Sequence, residues 1–162
     1  MDAVRLIAAG RHALAQSGAA MDIVGEAWQA QALVQGLGNW LSVGGPPELR
    51  QEARGLDEAG GRGCGVFDRA AIGSSDSRAP AHPPRAAQLT EVSDVRQALL
   101  GLQALLGEVG IALVGVACAT DDESLYWQCI ESIDAADEAG DRVRAILRRL
   151  TVRERGSASG VL

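Results

Sequence analysis

The sequence predicts an all-α protein: a mostly antiparallel bundle of four main helices plus one short helix, interrupted by a long flexible loop. Three observations carry this. Apolar residues recur in steps of three and four over long stretches, the spacing of one helix face. Aromatic residues are only 3% of the chain, fewer than a small β-sandwich or barrel normally uses. The breaks between periodic stretches hold Gly, Pro or capping residues.

The first helix spans about residues 2–17. Asp2 caps it, and Val4, Ile7, Ala8, Arg11 and Leu14 share one face. Ser17-Gly18 marks its end. The second runs from about Ala19 to Ser42, with Ile23, Ala27, Ala30, Val34, Leu37 and Leu41 on one stripe of average period 3.5, widened by Val24 and Trp28. It stops at Gly44-Gly45. Pro46-Pro47-Glu48 suits a helix start, with proline in the first turn and an acid at the positive end of the dipole. The short third helix covers about Pro47 to Ala59, with Leu49, Ala53 and Leu56 inward.

Residues 60–86 keep no period. Gly60-Gly61-Arg62-Gly63-Cys64-Gly65 opens the stretch and His82-Pro83-Pro84 nearly closes it, which predicts a mobile loop. The fourth helix, about Ala87 to Ala119, has the strongest pattern: Val92, Val95, Leu99, Leu102, Leu106, Val109, Leu113 and Val116. From Leu99 to Ala119 its only charge is Glu108. Such a helix belongs in the middle of a bundle or in a membrane. Its 21 apolar-rich residues approach the ~20 needed to span a bilayer, but Gln103 and Glu108 lie near its middle and neighbouring helices offer matching seams. These argue against a membrane. Thr120 with Glu123 fits a capping box for the last helix. That helix carries Tyr126, Cys129, Ile133, Ala136, Gly140, Val143, Leu147 and Leu150 on its seam, to about Arg153. The whole reads as a single domain over residues 1–155, the 60–86 loop inserted, with a disordered tail at 156–162.

Composition excludes several chemistries. The 15 basic residues are all arginine and there is no lysine, so a Walker-type phosphate lysine and a Schiff-base lysine are absent. Net charge is −6, which argues against a nucleic-acid surface. The cysteines Cys64, Cys118 and Cys129 form no Cys-x-x-Cys pair and suit reduced thiols in a cytoplasm. The N-terminus opens Met1-Asp2-Ala3-Val4-Arg5 with no long apolar run, so no secretory signal is expected.

Four blocks look familiar together: Ile23-Val24-Gly25-Glu26-Ala27-Trp28-Gln29-Ala30-Gln31-Ala32, Gly45-Pro46-Pro47-Glu48-Leu49-Arg50, Leu106-Gly107-Glu108-Val109-Gly110-Ile111-Ala112-Leu113 and Leu125-Tyr126-Trp127-Gln128-Cys129-Ile130-Glu131. The chain resembles a family of small actinobacterial proteins, a domain of unknown function. The resemblance covers most of the chain apart from the loop around 66–86 and the tail. It implies a bacterial setting and assigns no activity, cofactor or site.

No catalytic or metal constellation emerges. A dinucleotide fingerprint would need glycine at Val66 and a preceding strand. Neither His12 nor His82 follows a glutamate by three residues, as carboxylate-bridged iron bundles require. Gly156-Ser157-Ala158-Ser159-Gly160 misses the nucleophile elbow. Cys64 and His82 would form a thiol–imidazole pair only if their loop were held rigid. The chain is therefore expected to be no enzyme and to take no cofactor.

The remaining candidates are five. Glu26 and Glu108 are acids in apolar surroundings, whose ordinary explanation is an ion pair with an arginine such as Arg5 or Arg11. Trp28, Tyr126 and Trp127 are anchors for a pocket or interface, or large fillers of an Ala-rich core. On the seam register Tyr126 points inward, while Trp127, Ile130 and Ile146 project beside it. The last helix also holds eight acids over residues 121–141 and six arginines over 142–155, an order that matches the helix dipole. The leading expectation is a non-enzymatic helical interaction protein of the bacterial cytoplasm, with a protein partner or a second copy as a homodimer. The contact surface is expected on the first two helices or the last, the central helix being consumed by the core. The alternatives are a bundle binding a small apolar ligand between the second, fourth and last helices, and a secretion-type helical hairpin, although Trp40-Leu41-Ser42 lacks the Trp-x-Gly turn of the latter.

Overall fold

The computed structural model describes residues 1–72 and 83–159. These form five α-helices: α1 (Ala3–Gln16), α2 (Ala20–Gly44), α3 (Arg50–Ile72), α4 (Val95–Ala119) and α5 (Glu123–Ser159). Single 3-10 turns at Pro47–Leu49 and Arg85–Gln88 lead into α3 and towards α4. The fold is all-α, as the periodicity predicts.

Short connections make α2 with α3, and α4 with α5, packed hairpins, and α3 with α5 joins the two pairs. α1 lies against α2 and α4. The core sits where these meet: Leu33, Val34, Leu37 and Leu41 from α2, Leu99, Leu102, Leu105, Leu106, Val109 and Leu113 from α4, and Val143 and Ile146 from α5. Leu49, Ala53 and Leu56 close it from below, each fully buried.

Helix ends follow the chemistry of orphan backbone groups. The Asp2 carboxylate caps α1 at the Val4 N–H, 3.0 Å. Asp94 caps α4 at the Gln97 N–H, 3.1 Å. At α5 the expected Thr120–Glu123 box is replaced by Asp122, whose Oδ1 accepts from Ser124 at 2.9 Å and Leu125 at 3.3 Å. Thr120 is occupied in ending α4, where its N–H reaches the Val116 carbonyl. Its hydroxyl accepts from the Asp122 N–H.

The expected loop at 60–86 is corrected over its first half. Residues 60–72 continue α3 as helix, so α3 is long rather than short. Here the glycines serve packing, not flexibility. A Cβ at Gly38 would lie 2.8 Å from the Asp57 Cα, one at Gly60 would overlap the backbone of Gln35, and one at Gly63 would overlap the Gln31 side chain. α2 and α3 thus approach backbone to backbone across a glycine seam. His82 and the rest of 73–82 lie outside the described residues. The stretch expected to begin the fourth helix, from Ala87, is a 3-10 turn and an extended strand-like piece instead. Ala3 donates to the Glu91 carbonyl and Thr90 to that of Met1, and Asp94 then starts the helix.

Two further faces differ from expectation. α1 buries Ala3, Leu6, Ile7, Gly10 and Leu14, leaving Val4, Ala8 and Arg11 exposed. It has to serve α2 and α4 at once, and Gly10 faces both Leu33 and Leu105, which turns the stripe. α5 runs on to Ser159, past the Arg153 limit of its seam and into the expected tail, with only exposed residues over 152–159.

Candidate functional site

The two acids are tied to arginines. Glu26 on α2 binds Arg85 through both carboxylate oxygens, 2.5 and 2.7 Å, in the bidentate geometry that suits a guanidinium. The Glu26 side chain is 17% exposed. Gln29, one turn on, accepts the Arg85 backbone N–H at 2.8 Å. Together they fasten the 3-10 turn at Arg85–Gln88 to α2, and the carboxylate holds the Arg85 guanidinium above its usual pKa. Glu108 on α4 pairs with Arg11 on α1 at 2.6 Å, one of the two arginines the sequence offers it. Both are roughly half exposed, and the pair likewise raises Arg11.

The aromatic candidates do not converge on a cavity. Trp28 is half-buried on α2. Tyr126 and Trp127 pack edge to face, ring centroids 5.3 Å apart at 81°, and both are exposed, Tyr126 at 39% and Trp127 at 55%. The inward placement of Tyr126 is thus corrected: in the first turn of α5 it is Leu125, partly buried, that packs against the core, and the first fully buried residue of the helix is Cys129. Ile146 is corrected in the other direction, being fully buried, because α5 packs on α3 as well as α4.

A shallow cleft of about 300 Å³ lies elsewhere, between the α1–α2 junction and the end of α4. Gly18, Ala20, Ile23, Ala112, Val116 and Ala119 are among its lining residues. Its one polar side chain is Thr120. It sits at the small end of the ~300–1,000 Å³ typical of ligand pockets and lacks their convergent polar groups.

The α5 arginines act as struts. Arg149 reaches Glu52 at 2.9 Å and Arg153 reaches Glu48 at 3.3 Å, while Arg144 pairs with Asp141 on its own helix. Arg62 on α3 meets Glu138, and Arg96 on α4 meets Glu154. Burial pushes the Cys129 thiol up, away from nucleophilic character. Cys118 is exposed and Cys64 half-buried. Among the described residues, no cluster of three or more His, Cys, Asp or Glu is placed to hold a metal ion.

What the sequence reading missed is the outer face of α4. That helix is not consumed by the core. It is long and apolar enough to cross a membrane, yet only 39% of its most apolar window is buried. Leu100 is 43% exposed, Ile111 76% and Val114 48%. With Ala104, Gly107 and Cys118 they make a second seam in steps of four and three, 100–104–107–111–114–118, which carries no charge. The signal was in the sequence, since Leu100, Ile111 and Val114 lie off the inward seam, and in the structure α1, α2 and α5 pack on the other side of α4.

No curated protein and no solved structure matches the chain. A family model, described as a family of unknown function (DUF6099), matches residues 1–149, and the chain belongs to that family.

Proposed function

We propose that this protein is a non-enzymatic helical interaction module of the bacterial cytoplasm, and that its working surface is the outer face of α4. One observation carries the reading. An uncharged apolar stripe runs along the best-formed helix and faces solvent, with Ile111 at 76% exposure. Contiguous exposed apolar surface rimmed by charge marks a contact site, and here Arg11 and Glu108 form one rim.

The test is Ile111→Glu. Little inside the monomer depends on this side chain, so its melting point should stay close to the parent, within about 0.5 kcal/mol of stability. Association should be lost. Sedimentation of the purified chain reads self-association. Quantitative capture from extract of the source cell, parent against variant, reads a heterologous partner. A parent that is monomeric and captures nothing Ile111-dependent would overturn the reading.

A further inference from the structure

The geometry points to a second copy of this chain as the occupant of the α4 face, packed antiparallel about a two-fold axis at the level of Val109. This rests on the interaction reading above and makes it specific. The exposed seam is 100–104–107–111–114–118, and its residue numbers are symmetric about 109. In an isologous contact residue i meets j and j meets i. Antiparallel pairing about 109 therefore sets Ile111 over Gly107 of the second copy, Val114 over Ala104, and Leu100 over Cys118. Each large side chain meets a small one. A parallel pairing would set Ile111 on Ile111 and leave Gly107 facing Gly107, a clash beside a void.

Gly107 strengthens the case. A Cβ there would meet nothing within 4 Å, as at Gly110 and Gly115 on the same helix, so space for an incoming side chain is open at that point. Glycine inside a helix nevertheless costs about 1 kcal/mol relative to alanine. A neighbouring helix coming close over Gly107, with Ile111 seated on it, gives the missing side chain a role.

Charge and area agree. Arg11 and Glu108 lie one residue from the two-fold level, on the α1 side of α4. The axis brings the same pair of the second copy to that level in reversed order, so opposite charges can alternate across the rim. The seam from Leu100 to Cys118 is roughly 27 Å long at 1.5 Å per residue. With α1 and α5 flanking α4 at ~8–10 Å between axes, the face is roughly 16–20 Å wide and covers about 430–540 Å², so two copies together bury about 1,000 Å², the lower bound of a specific interface. A membrane is the poorer occupant, because the Arg11–Glu108 pair would sit halfway along the embedded helix.

Three full-length variants test this. Gly107→Leu fills open space in the monomer but blocks the seat of Ile111. The parent should sediment as a dimer at micromolar concentration and Gly107→Leu as a folded monomer. If Gly107→Leu fails to fold, Ile111→Glu serves in its place. Leu100→Cys should form a covalent dimer on mild oxidation, with the 100–118 linkage identified by peptide mass. The double variant Leu100→Cys/Cys118→Ser should not cross-link, since antiparallel pairing holds the two positions 100 roughly 27 Å apart. Cross-linking of that double variant to itself, or a Cys118–Cys118 bond in the parent, would mean parallel pairing and overturn the inference. A parent that stays monomeric to roughly 100 μM, a Kd too weak for this surface, would overturn it too. So would Ile111-dependent co-sedimentation of a monomeric chain with anionic lipid vesicles. Ile111-dependent capture of another protein by a monomeric parent would overturn the second copy while leaving the interaction reading standing.

Discussion

At the scale of single residues, Asp2 shows how one side chain joins distant parts of the chain. Its carboxylate caps α1 and also accepts from the Ser93 N–H at 2.9 Å and the Ser93 hydroxyl at 2.8 Å. These Ser93 bonds, ahead of those from Val4 and Ala3, hold it below the usual carboxylate range. Folding thus favours the ionised form. Its contribution is fully present above about pH 4, the unfolded value, and is lost as pH falls through the lower folded value. Melting curves of the parent and Asp2→Asn should therefore converge as pH drops below about 4, and a gap constant with pH would refute this. Glycines make a paired prediction. Gly60→Ala forces a Cβ into the Gln35 backbone, and the overpacking of about 1–3 kcal/mol should outweigh the ~1 kcal/mol gain in helix propensity. Gly25→Ala, with nothing within 4 Å of its Cβ, should stabilise by up to about 1 kcal/mol. Thermal melts of both variants decide it: destabilisation by both would mean propensity and local packing are misjudged.

At the scale of elements, α4 has two faces with different tasks. The inward seam is core, and Leu106 is 3% exposed within it. Leu106→Asp would bury an unpaired charge at a cost of several kcal/mol, comparable to the ~5–15 kcal/mol stability of a domain. Circular dichroism should show an unfolded chain at room temperature. A cooperative melt near that of the parent would show that this helix is not the core. The outward seam is legible in the same residues once the neighbours are known, but period alone cannot say which of two apolar stripes a bundle covers. The α5 start makes a similar point. Tyr126 and Cys129 share the seam by spacing, yet only Cys129 is buried, because in the first turn the core is met by Leu125 and not by its neighbour Tyr126. Trp127→Ala and Tyr126→Ala should both leave the monomer's melt nearly unchanged.

At the scale of the whole molecule, the second hairpin is tied to the first by ion pairs and by the chain's return past α2. Arg85 with Glu26 and Gln29 anchors that return. Arg85→Ala should leave the partly buried Glu26 carboxylate without its bidentate partner, costing about 1–3 kcal/mol. The signature is a loss of stability that the double variant Arg85→Ala/Glu26→Gln partly restores. Absence of that rescue would show the pair acting independently.

By itself the sequence determined the helical class, the inward seams of α2 and α4, and the ends at Gly44-Gly45 and Ala119. Each of these follows from local periodicity, capping chemistry or composition. It also offered the Arg11–Glu108 pair as an explanation of a lone acid in an apolar run. Only the tertiary structure decided that Gly60 to Gly65 are helix. Local propensity penalises glycine there, and the close approach of α2 overrides the penalty. Only the tertiary structure, too, decided which face of α4 remains open. Burial is a property of neighbours, and a stripe of Leu100, Ile111 and Val114 is left exposed only once α1, α2 and α5 have taken the other side.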